Sequence, residues 1–186
     1  MIGEYDYVIL SPFHLNEQTQ RLDAILKLKS NINYTISAFR TYINAGVTLA
    51  NSMSNIATKF LECGSFSKDP TISNISNCIS YFKSAFDSHF SSVEQNVIDP
   101  LQRFIENDIT NCEKHYKEFS SKKSAYFAAL DRIMTSKNVD QKILNQLKSH
   151  KQEAAISNYE FQRALEIVEK KNSYELTATV CIFTIS

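Results

Sequence analysis

The strongest constraint on this chain is an unbroken helical period between Ile98 and Lys137. Apolar residues at Ile98, Leu101, Ile105, Ile109, Cys112, Tyr116, Phe119, Tyr126, Leu130 and Ile133 recur in steps of three and four. One double step passes over the polar Lys122 and Lys123. Such spacing places the apolar side chains on one face of an α-helix, the seam of a packed element. Neither Gly nor Pro follows Pro100 in the stretch. From Leu101 to Lys137 the rod would measure roughly 55 Å at ~1.5 Å per residue. Globular helices usually end after about three or four turns, so length alone points to an elongated bundle or a coiled coil.

The rest of the chain follows the same logic. Residues 1–10 read as a short leader with a brief strand-like or irregular apolar stretch at Tyr7 to Leu10, and 11–186 as the domain. Ser11 before Pro12 is a cap-and-proline start. A first helix is predicted from about Pro12 to about Ser65, with Leu22, Ile25, Ile32, Ile36, Phe39, Ile43, Leu49, Met53, Ile56 and Phe60 as its seam. Gly46 lies on that face, where a missing side chain lets a neighbouring helix come close. The stretch Cys63 to Thr71 is a break, and Asp69-Pro70 is a second cap-and-proline start. The second helix should run to Lys137 through Ile75, Ile79, Phe82, Phe86, Phe90 and Val93. Pro100 should kink it without stopping it, because the seam resumes in phase. After a turn at Thr135 to Gln141, a third helix should start near Val139 to Asp140 and carry Leu144, Leu147, Ala154, Phe161, Leu165 and Val168. The closing TATVCIFTIS is β-branched and apolar, and reads badly as the end of a soluble helix. Serine and asparagine mostly fall off the seams. The fold expected is all-α: an elongated antiparallel bundle of three long, kinked helices.

Composition removes other classes. Three Gly and three Pro disfavour a turn-rich β fold, and a glycine-rich phosphate loop cannot be built from Gly3, Gly46 and Gly64. His14, His89, His115 and His150 are dispersed, and no nucleophile–base spacing emerges, so no enzymatic activity and no cofactor are expected. Cys63, Cys78, Cys112 and Cys181 form no CxxC pair. Cys112 and His115 share a helix face without a second pair to complete a zinc site, so reduced, buried thiols and no metal are expected. The acidic opening MIGEYDYVIL is not a signal peptide, and no apolar run is long enough to span a bilayer. The expected location is cytoplasmic, peripheral to membranes.

The chain is neutral overall, with 20 basic and 20 acidic side chains, so any attraction to a polyanion must be local. Between Lys114 and Lys151 stand Lys114, Lys117, Lys122, Lys123, Arg132, Lys137, Lys142, Lys148 and Lys151. Only Glu118, Asp131 and Asp140 oppose them, and adding the flanking Glu113 and Glu153 lowers the local balance from +6 to +4. The antiparallel return brings the lysines on both sides of the turn to one end of the bundle. Each basic residue near an anionic leaflet gains ~1 kcal/mol, so several together bind reversibly. These nine residues are the candidate membrane-binding set. Nucleic acid is the disfavoured polyanion, since the chain lacks Trp and carries no recognition motif. The alternative from another class is a helical scaffold that binds a protein, such as a small GTPase or a cytoskeletal element, without touching lipid.

The chain resembles a BAR domain, most closely the type preceding PH and Arf GTPase-activating domains in the centaurin-β group. Ser11-Pro12-Phe13 is similar to that group's DSPxFR opening, and Ile36 to Ala50 with Ala45-Gly46 to its helix-one AG segment. Leu101-Gln102-Arg103-Phe104 with Asp108, then Lys114 and Lys117 to Phe119, resembles its helix-two LQxF pattern. Phe161 to Tyr174 with Glu175-Leu176 resembles a stretch early in its helix three. The resemblance implies a crescent-shaped homodimer that holds basic residues against curved anionic membrane in vesicle or endocytic traffic. It also implies a longer helix three and, beyond it, PH and GTPase-activating domains. Helix three is therefore expected to be truncated here, and GTPase-activating activity does not carry over.

Overall fold

In the computed structural model the described residues are 11–67, 70–136 and 140–185, and no strand occurs among them. The chain is all-α. Helix α1 is Pro12–Ser67 and α2 is Pro70–Val93. A π-helical turn at Glu94–Ile98, the short α3 (Asp99–Arg103) and a second π turn at Phe104–Ile109 then lead into α4 (Thr110–Thr135). Helix α5 is Gln141–Ile185. These are the three long helical runs that the periodicity predicts.

The starts have local causes. Ser11 caps α1: its Oγ accepts the His14 N–H at 3.2 Å, and its carbonyl accepts the Leu15 N–H at 3.0 Å. Asp140 caps α5, its Oδ1 accepting the Ile143 N–H at 2.8 Å. The leader 1–10, the Asp69 cap, Lys137 and Val139 lie outside the described residues.

Pro100 does not stop the second run, as expected. The first π turn ends just before it, where the Asp99 N–H bonds the Glu94 carbonyl five residues back. A widened turn gives the proline ring room against the carbonyl it would otherwise strike, which explains the placement physically. The second π turn has no proline. There the Thr110 N–H bonds the Ile105 carbonyl, and its Oγ1 donates to the same oxygen at 2.9 Å. The C-terminal expectation is corrected: TATVCIFTI continues α5 as helix to Ile185. β-Branched residues cost only a few tenths of a kcal/mol each in a helix, too little to end one already propagating.

The described residues form two compact units. The first comprises residues 11–30 with 103–174, and the second 31–102 with 175–185. In the first, Leu22, Ile25, Phe104, Ile109, Cys112, Phe119, Ala154, Phe161, Leu165 and Val168 are buried. Phe119 and Phe161 stack at 6.0 Å between centroids, with Tyr116 tilted against Phe161 at 5.2 Å. Serine and asparagine mostly stay off the buried seams, and Ser157 and Asn158 are exceptions here, buried together with Gln18. Gln18 Nε2 donates to Asn158 Oδ1 at 2.8 Å, and this bond makes the burial tolerable. At the edge, Arg21 grips Glu169 with two bonds of 2.9 and 2.7 Å.

The second unit corrects the seam of α1. Ile32 and Ile36 are buried as expected, but further along the buried positions are Ala50 and Ala57, while Leu49 (54%), Ile56 (50%) and Phe60 (39%) are exposed. The helices meet through small residues. Ser76 is buried with its Oγ donating to the Ala57 carbonyl at 2.8 Å. A Cβ on Gly46 would lie 1.9 Å from Cζ of the buried Phe90, so the glycine is there for close approach. Phe90 itself stacks on Phe86 at 5.9 Å and meets Tyr42 edge-on at 5.6 Å.

Candidate membrane-binding surface

The sequence-derived basic set lies in the first unit, on α4 and α5, except Lys137, which is outside the described residues. The eight described members do not have equal status. Lys114, Lys117, Arg132, Lys142 and Lys148 are exposed and make no ion pair among the described residues. Lys114 and Lys117 stand three apart on α4, and Lys148 and Lys151 three apart on α5, so each pair shares a helix face. Lys151 is half-buried.

Lys122 and Lys123 are engaged differently, and this explains their break in the apolar period. Lys122 Nζ donates to Glu153 Oε2 on α5 at 2.7 Å. That bond and the charge behind it raise the Lys122 pKa and lower that of Glu153. Lys123 places its Nζ 5.4 Å from the centroid of the Phe119 ring, a cation–π contact.

One heptad back along α4 and one heptad on along α5, His115 Nδ1 faces Glu160 Oε2 at 3.8 Å. The two pairs share one antiparallel register. Two further ties were not legible from spacing: Lys29 Nζ to Glu113 Oε1 at 2.6 Å, and Lys171 Nζ to Asp108 Oδ1 at 2.8 Å. The flanking-charge count hinted only at the first, since Glu113 already trimmed the basic excess. Among the eight described members, five are exposed and form no ion pair with another described residue.

The thiols also differ from expectation. None of the four cysteines forms a disulfide, but only Cys112 is buried; Cys63, Cys78 and Cys181 are exposed. Burial pushes the Cys112 thiol up to about 11, so it is a packing residue and a poor ligand at neutral pH. Among the described residues, no helix is long and apolar enough to cross a membrane.

The second unit offers a different face. Tyr42, Leu49, Ile56 and Phe60 on α1, and Ile75 and Phe82 on α2, are all exposed large apolar residues. Their α1 members fall at intervals of seven, seven and four, the spacing of a helical stripe.

Sequence comparison adds a family. A profile described as the BAR domain of APPL family matches residues 13–184. No curated protein matches the chain.

Proposed function

The chain belongs to the BAR domain family, and from that premise we propose that it is a dimeric module that senses or shapes curved anionic membrane in vesicle or endocytic traffic. The family is a non-catalytic, membrane-associated one whose members typically dimerise. The closeness to the centaurin-β group is not carried by the matching profile, which is that of the APPL family.

The observation that supports lipid binding is the group of five exposed cations, Lys114, Lys117, Arg132, Lys142 and Lys148, which form no ion pair among the described residues and lie on two helices of one unit. At ~1 kcal/mol each, they give one protomer only weak attraction to an anionic leaflet, and two linked copies give useful avidity. The exposed apolar stripe of the second unit supplies the surface for that pairing. An obligate interface of this kind covers more than ~2,000 Å².

The test is co-sedimentation with phosphatidylserine-rich liposomes at rising salt. Binding should fall steeply, because exposed charges are screened over ~8 Å at physiological ionic strength. Lys114→Glu with Lys117→Glu should weaken it without loss of helicity or mass. Lys122→Gln, which removes a lysine already neutralised by Glu153, should do less. A folded Lys114→Glu/Lys117→Glu protein that sediments like wild type would overturn the lipid reading in favour of a scaffold that binds a small GTPase or cytoskeletal protein.

A further inference from the structure

One cluster is unused by the membrane reading and does not depend on it. His115 and Glu118 lie three residues apart on α4, and Glu160 faces them from α5. A ring nitrogen of His115 and one carboxylate oxygen from each glutamate all lie within 4.8 Å of one another. We propose that His115, Glu118 and Glu160 form a three-ligand site for a divalent transition metal of the zinc class, clipping α4 to α5 with a fourth position left for water.

The chemistry of the donor set favours this class. One imidazole nitrogen and two carboxylate oxygens make a mixed nitrogen–oxygen set suited to Zn²⁺ or Co²⁺ and poor for the all-oxygen shells of Ca²⁺ or Mg²⁺. Bonds of about 2.0–2.2 Å put tetrahedral ligand atoms about 3.4 Å apart, so closure needs a contraction of at most about 1.4 Å. His115 Nδ1 and Glu160 Oε2 are already 3.8 Å apart. Both glutamates are exposed and His115 is half-buried, so side-chain rotation alone can close the site.

The frame beneath is rigid. Each ligand precedes one of three packed rings: His115 before Tyr116, Glu118 before Phe119, and Glu160 before Phe161. Ligands carried by helices whose neighbouring side chains are locked hold their geometry better than ligands on loops. Among the described residues, none of the three makes a hydrogen bond that a metal would have to break. Lys122, four residues beyond Glu118, is the obvious competing cation, and it is held by Glu153. Cys112, one turn before His115, is buried and protonated and lies outside the set.

The test is Co²⁺ titration of the full chain in a non-coordinating reductant, read by absorption and by thermal melting. One equivalent should bind in the micromolar range with the visible d–d bands of a four-coordinate ion, lack the intense thiolate-to-cobalt band, raise the melting temperature and be displaced by Zn²⁺. Glu118→Gln and Glu160→Gln should each weaken binding by at least about tenfold. His115→Gln, which keeps a polar side chain of similar reach, should abolish it while leaving the circular dichroism unchanged. Replacing Cys63, Cys78 and Cys181 with serine should change nothing. The proposal is overturned if Co²⁺ is not taken up below millimolar concentration, if a thiolate band accompanies binding, or if folded His115→Gln binds like wild type.

Discussion

Gly46→Ala isolates the close approach of α1 and α2. On an exposed helix the change would stabilise by roughly 1 kcal/mol, because alanine is the better helix former. Here the added Cβ would stand 1.9 Å from Phe90 Cζ and about as close to the ring's two Cε atoms, at 2.5 and 2.6 Å. Ordinary contact is above 3.4 Å, so the ring must retreat by roughly 1.5 Å or leave its site. Retreat is resisted by Phe86 stacked on one side and Tyr42 edge-on to the ring. Overpacking of this kind costs about 1–3 kcal/mol, and full expulsion forfeits the ~1.5–3 kcal/mol that burying a phenylalanine contributes. Against the propensity gain of roughly 1 kcal/mol, a net destabilisation of up to about 2 kcal/mol is expected. For a chain of this length that is a fall of up to about 8 °C in Tm. Urea unfolding followed by circular dichroism, at one fixed protein concentration, measures it. Phe90→Leu, which removes the clashing ring edge, should recover part of the loss in the double mutant. A Gly46→Ala protein more stable than wild type would refute the argument, because it would mean that the helices do not meet at this residue.

Two further outcomes follow from the first unit. Asn158→Leu removes the acceptor of Gln18 Nε2, in a residue whose Oε1 is already buried without a partner, and should cost about 1–3 kcal/mol. Gln18→Leu with Asn158→Leu should cost less than the sum of the single changes, and strict additivity in denaturant melts would show that the bond is not formed. The Lys122–Glu153 bridge sets a pH window. The Glu153 pKa is lowered, first by the hydrogen bond from Lys122 and then by its charge, so this contribution is present above the unfolded carboxyl value and lost as pH falls through the lowered folded value. The Lys122 pKa is raised by the same partner, so its contribution is present below the unfolded lysine value and lost as pH rises through the raised one. Both hold at neutral pH. A carboxyl NMR titration should show the Glu153 midpoint rising in Lys122→Gln, and an unmoved midpoint would mean that the bridge is absent in solution.

The sequence carries the helices better than their faces. Starts at Pro12 and Gln141 are written in Ser11 and Asp140, residues whose short side chains reach the first free amides. The run from Leu101 to Phe119 buries as its period says, because large residues at three-and-four spacing leave one way to exclude water. The period misleads between Leu49 and Phe60. It weighs residues by hydrophobicity, whereas this pair of helices meets through Gly46, Ala50, Ala57 and Ser76, which score weakly and allow the backbones to approach. The second π turn has no residue marker at all, since it is a property of backbone bonding and packing. In the candidate surface, charge counting overstates the free charge. The pairing of Lys122 with Glu153 depends on the register between α4 and α5, and composition holds no register.

That small-residue contact has a consequence for assembly. The large side chains it leaves out, Leu49, Ile56, Phe60 and Phe82, are 54%, 50%, 39% and 60% exposed. Isolated exposed apolar residues are ordinary, but a stripe at helical spacing marks a surface that another protein covers. Burying a fully exposed side chain of this kind contributes roughly 1.5–3 kcal/mol, and these are about half exposed, so four from each of two copies contribute roughly 6–12 kcal/mol, of the same order as the entropic cost of association. Ile56 tests this cleanly. It also lines a shallow groove with Asn55, Lys59, Phe60 and Cys63 on the same helix. In a lone protomer Ile56→Glu sits half in water and should change stability little. In a dimer that buries the stripe, it places an unpaired carboxylate against apolar neighbours, which is strongly destabilising. Sedimentation equilibrium should therefore give a dimer for wild type and a folded monomer for Ile56→Glu at micromolar concentration, with the wild-type unfolding midpoint rising with protein concentration and that of the variant fixed. A wild-type midpoint independent of concentration, with equal masses for the two proteins, would show that the stripe is not the self-association face.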